Sequence, residues 1–239
     1  MQWKTRKAIT TMILPTMSED EIRQEINKDS LEIISHIRQC IEKFKKTNKN
    51  RLPRMYPTLG FYRFKTKRNN DILLLLDAEE YKHRNCPHYG VYFLTKTLRG
   101  LTKVYQCANF GDEDQDIIVF TNHFIQRYNE RMKLCYLDPI DVLKHFITHN
   151  AGSMITFDEE NPQMFYGTTP TGMVFGISKD NGFAYHTTFV NNKKLFDNQT
   201  EFVNAIKEEV NLSDIRDIMK KQKENKLANW NKVPIPKLK

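Results

Sequence analysis

His123, Arg127 and Arg131 recur at every fourth position in a stretch that follows the apolar run Ile117 to Phe120. The apolar run reads as a strand, and Thr121 or Asn122 stands where a helix N-cap belongs. Over eight residues of helix the three polar side chains drift only about 80°, so one helix face can present an imidazole and two guanidinium groups. Phe124, Tyr128 and Met132 form the adjoining apolar stripe. Such a set suits a polyanion. Internal cleavage of RNA needs a base for the 2′-OH, a cation for the charge on phosphorus and an acid for the leaving oxygen. A neutral imidazole at His123 is a competent base. Arg127 and Arg131 can hold phosphate oxygens bidentately. The bland alternative is a capping or core histidine beside two ion-paired arginines.

A second histidine lies downstream. Strands are expected at Met154 to Phe157, Met164 to Thr168, Met173 to Ser178 and Phe183 to Val190, with Asp180-Asn181-Gly182 as a turn. Strand alternation places His186, Thr188 and Val190 on one face and Tyr185, Thr187 and Phe189 on the other. His186 is then the candidate acid. Thr188 is the candidate hydrogen-bond donor to a nonbridging oxygen.

These pieces resemble the barnase–EndoU–RelE group of small metal-independent RNases and toxins. The resemblance spans about residues 117–190 and rests on His-x3-Arg-x3-Arg, a following helix, the meander and the strand His186 to Phe189. It implies catalytic roles for His123, Arg127, Arg131, His186 and Thr188, no cofactor, and an antitoxin or immunity protein as partner.

The elements that must position these residues give an α+β class. Helices pack on an antiparallel four-stranded sheet, with an N-terminal helical and β extension. The expected divisions are a helical region at 1–50, an α+β domain at 51–212 and a basic C-terminal helix and tail at 213–239. Ser18 to Glu21 has capping-box spacing. Asp29 or Ser30 is expected to restart the helix, and Leu31, Ile34, Ile37, Ile41 and Phe44 give its apolar periodicity. Asp138-Pro139 opens a helix carrying His145 and His149. Two more helices are expected at 200–210 and 213–230.

A net charge of +8 favours a polyanionic partner, RNA first. From Lys43 to Arg68 there are ten basic residues and no acidic one. Arg51, Arg54, Arg63, Lys65, Lys67 and Arg68 are the candidate RNA contacts, interleaved with aromatics able to stack on bases. Pro53, Pro57 and Gly60 break any helix here, and the bland alternative is a solvated loop whose aromatics belong to the core. The four cysteines are scattered without a CxxC pair, which points to a reducing cytoplasm. Met1 to Met12 lacks the apolar core of a signal peptide, and no run reaches the roughly 20 apolar residues of a membrane span. No metal is expected. His83, Cys86, His88 and the distant Cys107 match no common zinc spacing, His145 and His149 lack a third ligand, and the acidic turn at 111–116 lacks a calcium loop's glycine.

Overall fold

The computed structural model describes residues 13–97, 100–108, 110–111, 115–150, 154–158 and 161–192. The helices expected at 200–210 and 213–230 lie outside the described residues, as does the basic tail.

The first helix, α1 (Glu19–Asn48), begins with the capping box its sequence spells. The Ser18 hydroxyl accepts from the Glu21 amide at 3.3 Å, and the Glu21 carboxylate accepts from the Ser18 amide at 2.7 Å. The helix runs unbroken through the expected restart at Asp29. Its apolar stripe is Ile22, Ile26, Ile33, Ile37, Ile41 and Phe44, all buried, while Leu31 is 78% exposed. Asp29 occupies a place in that stripe and is 1% exposed. It is therefore a buried anchor. Its Oδ2 accepts from the Thr66 hydroxyl at 2.7 Å and the Asn70 amide at 2.8 Å, which ties the helix to the turn between the first two strands.

The expected four-stranded sheet is one part of a larger one. Strands β1 (Thr58–Lys65), β2 (Asp71–Ala78), β3 (His88–Thr97), β4 (Gly100–Cys107) and β5 (Ile117–Thr121) form an antiparallel meander. Helices α2 (Asn122–Met132) and α3 (Pro139–His149) follow, and then a second meander of β6 (Met154–Phe157), β7 (Met164–Thr169), β8 (Gly172–Ser178) and β9 (Phe183–Asn191). The order β1-β2-β3-β4-β5-β9-β8-β7-β6 makes one sheet of nine strands. Its seam is the parallel pair β5–β9, in which Ile117 to Phe120 run beside Phe183 to His186. The α+β class thus holds, and the N-terminal extension is half of the same sheet. No α-helix forms around Pro53, Pro57 and Gly60, where a short 3-10 helix, Pro53–Met55, leads into β1.

Both faces of the central strands are covered, which explains their near-continuous apolar runs. On β2, Ile72, Leu74 and Leu76 join the core under α1, and Leu73 joins the core under α2 and α3. The α1 core also takes Val91, Phe93, Tyr105, Val119 and Phe183. The opposite core takes Phe120, Phe124, Tyr128, Leu143, Phe146, Phe165 and Phe189. Each such side chain contributes about 1.5–3 kcal/mol on burial. Among the described residues no helix is long and apolar enough to cross a membrane.

One irregularity redirects β9. Its register on β8 passes from Phe175↔Thr188 to Gly176↔His186, skipping Thr187. This is a β-bulge. A Cβ on Gly176 would meet the Phe165 ring and the Tyr185 carbonyl at 2.2 Å, so the bulge is built against a bare backbone. The extra residue reverses the alternation beyond it, and His186 and Phe189 end up in the same core.

Candidate functional site

The β5 to α2 transition works as its sequence implies. Thr121 is the N-cap, and its hydroxyl accepts from the Phe124 amide at 3.1 Å. Phe124, Ile125 and Tyr128 turn into the core, and His123 and Arg127 are exposed. The 80° drift decides the rest. His123 begins the row on the solvent side, Arg127 pairs with Glu130 at 3.0 Å, and Arg131 reaches the flank of the sheet. There its guanidinium donates to the Phe189 carbonyl. The three groups share one helix but have different surroundings.

His186 is 5% exposed. Its ring centroid lies 5.0 Å from that of Phe120, 5.6 Å from Phe124 and 5.4 Å from Phe165. Neither ring nitrogen has a hydrogen-bond partner among the described residues. Burial alone pushes its pKa down to about 4, so the ring is neutral at pH 7. Thr188 pairs with Phe175 and points to the face opposite Gly176 and His186. The same-face pair expected from simple alternation is therefore undone by the bulge. The structure does not bring His123, His186 and Thr188 onto one surface.

The other histidine pair is also engaged. His145 and His149 stack at 3.9 Å, with His149 Nδ1 2.9 Å from the His145 carbonyl. His145 Nδ1 is 2.9 Å from the Tyr128 hydroxyl, which accepts from Asn150 at 3.2 Å.

The basic stretch divides into two kinds of residue. Arg63 grips Asp71 through two bonds of 2.8 and 2.6 Å. Burial pushes the Asp71 carboxyl up, but Arg63 and Lys96 outweigh it and hold the group below the usual carboxylate range. Arg68 grips Glu25 at 2.9 and 2.6 Å, with Asp29 3.6 Å away. These two arginines fasten the β1–β2 turn. Arg51 donates to Thr58 at 2.7 Å. Arg51, Arg54, Lys65 and Lys67 are exposed.

Another group of cations gathers elsewhere. Lys45, Lys46 and Lys49 at the C-terminal end of α1 meet Arg84, on the short 3-10 helix Tyr81–Asn85 between β2 and β3. With Asn48 and Asn85 they line a concavity of about 210 Å³. Lys45 is shared with Glu42 at 2.7 Å. The Arg84 guanidinium lies 3.9 Å over the Tyr81 ring, which is partly exposed, and Tyr81 packs edgewise on Tyr56 at 5.7 Å. The three lysines belong to the basic run from Lys43 to Arg68. Arg84 escaped notice because the β2–β3 hairpin brings it there across nearly forty residues.

A larger concavity of about 610 Å³ lies at the other end of α1, with Glu19, Lys103, Lys179, Tyr185 and Thr187 in its wall. Its polar groups are largely satisfied by one another. Glu19 accepts from Lys179, Asn181 and Tyr185. This wall therefore serves as a staple between α1 and β9.

The residues able to hold a metal are Glu79, His83 and His88, whose ligand atoms lie within 4.8 Å of one another. The set differs from the one considered in the sequence. Glu79 joins it, Cys86 does not, and Cys107 is buried in the α1 core. Comparison with protein-family models, with curated proteins and with solved structures finds no match.

Proposed function

We propose that this protein binds single-stranded nucleic acid, RNA in the first place, through the cationic surface around the C-terminal end of α1. The observation that carries the reading is the convergence of Lys45, Lys46, Lys49 and Arg84 on one concavity. Four cations around a small hollow suit a phosphate, and Tyr81 under Arg84 offers a ring for an unpaired base. Arg51 and Arg54 on the connection after α1, and Lys65 and Lys67 at the end of β1, are exposed cations as well. The net charge of +8 acts in the same direction. A binding role needs only exposed cations. Acid–base cleavage also needs an imidazole that can reach the leaving oxygen, and His186 is enclosed by three phenylalanine rings.

The test is a titration of labelled single-stranded RNA with the full chain in EDTA, read by fluorescence polarisation. Binding that falls at least tenfold in the Lys46→Glu, Lys49→Glu, Arg84→Glu variant supports the reading. Equal binding by that variant overturns it. Equal preference for DNA of the same sequence widens the partner to single strands in general. Cleavage of the RNA in EDTA, lost in His123→Ala, would instead establish the metal-independent endoribonuclease.

A further inference from the structure

We propose that Glu79, His83 and His88 form a zinc site on the connection between β2 and β3. Glu79 follows directly on the last residue of β2, His83 sits on the 3-10 helix, and His88 opens β3. The spacing Glu-x3-His-x4-His looks irregular as text. The hairpin folds it into a cluster in which all three ligand atoms lie within 4.8 Å of one another. Tetrahedral zinc with bonds of about 2.0–2.1 Å sets its ligand atoms roughly 3.4 Å apart. Side-chain torsions cover that difference, and Glu79 lies on the exposed surface.

Three further observations favour an ion there. The two imidazole rings meet edge to face at 5.3 Å, an arrangement that lets nitrogens converge on one point. His83 Nδ1 is shielded from solvent and makes no hydrogen bond among the described residues. A shielded nitrogen of this kind costs free energy unless something coordinates it. Asp77 stands opposite His88 in the β2–β3 register, the position from which a carboxylate supports a ligating imidazole.

Two neutral imidazoles and one carboxylate suit a borderline ion such as zinc better than calcium or magnesium, which prefer oxygen ligands. Three protein ligands leave the fourth position to water or to a partner's donor atom. The site stands independently of the nucleic-acid reading, since its ligands and the lysines of α1 are different side chains.

The experiment uses the full chain, stripped with EDTA and dialysed. Zinc is titrated calorimetrically, and cobalt is added as a spectroscopic substitute. One equivalent of zinc and the visible absorption of tetrahedral cobalt are expected. His83→Ala and His88→Ala should each weaken zinc binding by roughly 100-fold or more, Glu79→Gln by about tenfold, on the scale that ligand-shell changes reach. The His145→Ala, His149→Ala double variant should bind like wild type. Loss of binding in that double variant, unchanged binding in His83→Ala, or no binding by wild type overturns the assignment. Should the single variants unfold, wild type still decides. Zinc should shift the His83 and His88 ring resonances in NMR and raise the melting temperature, and resonances that stay put overturn the site.

Discussion

Thr121 and His186 are joined through a single hydroxyl group. The Thr121 hydroxyl accepts from the Phe124 amide and donates to the His186 carbonyl, each at 3.1 Å. One side chain therefore starts α2 and fixes that start to the neighbouring parallel strand. The helix cannot shift along the sheet without breaking one of the two bonds.

The first prediction follows from this bridge. Thr121→Val keeps the shape but removes both bonds and should cost about 1–2 kcal/mol, the usual worth of an N-cap. Thr121→Ser should stay within about 0.5 kcal/mol of wild type. Urea unfolding of the three proteins measures both, and a Thr121→Val variant as stable as wild type would show that the bridge carries no weight.

His186 gives a pH dependence of definite sign. In the unfolded chain it binds a proton near its ordinary pKa of about 6.5, and in the fold only near about 4. Between those values the unfolded state holds more protons, so stability rises with pH. The contribution is complete above about pH 6.5 and is lost as pH falls toward 4, for a total of about 3 kcal/mol. His186→Leu should flatten this stretch of the curve. Unfolding free energies at pH 5 and pH 7 suffice, and equal pH slopes in the two proteins would show that His186 is not the group responsible.

Asp29 supports a third expectation. Asp29→Ala takes the acceptor away from the Thr66 hydroxyl proton and the Asn70 side-chain amide, and it removes an acidic neighbour of Arg68. Leaving buried polar groups without partners should cost about 2–4 kcal/mol. Hydrogen exchange should also speed up at the Thr66–Asn70 turn more than at the α2 side of the sheet. Uniform acceleration would argue for general loosening instead.

For RNA binding, salt dependence separates phosphate contacts from other causes. The plot of log affinity against log salt should flatten by about 0.7 for each cation removed among Lys46, Lys49 and Arg84. A variant that weakens binding with an unchanged slope would have lost something other than a phosphate contact.

Local signals carried much of this structure in the sequence, and long-range ones carried little. Ser18–Glu21, Thr121 and Asp138 all cap as their spacing implies, because capping is settled within four residues. The strands of the second meander fall close to their expected limits for the same reason. The seam between β5 and β9 was not legible, since parallel pairing leaves no mark at either strand. The α1 stripe was misread at Asp29, where a buried carboxylate looked like a cap because its partners, Thr66 and Asn70, lie far along the chain. The bulge at Thr187 was invisible too, and one extra residue there was enough to separate His186 from Thr188. His123 and Arg127 are exposed on α2. The cationic concavity and the Glu79–His83–His88 cluster depend on what hairpins bring together, and spacing along the chain does not encode that.

The parallel seam has a kinetic consequence. Each meander closes through neighbouring strands, whose loops are short and cheap to form. Joining β5 to β9 requires closing a loop that contains α2, α3 and three strands. Loop-closure entropy and high sequence separation make that the slow encounter. Until it occurs, the flanks of Ile117–Phe120 and Phe183–His186 are two open apolar edges. The Thr121 hydroxyl is then a latch that closes only when both halves have arrived.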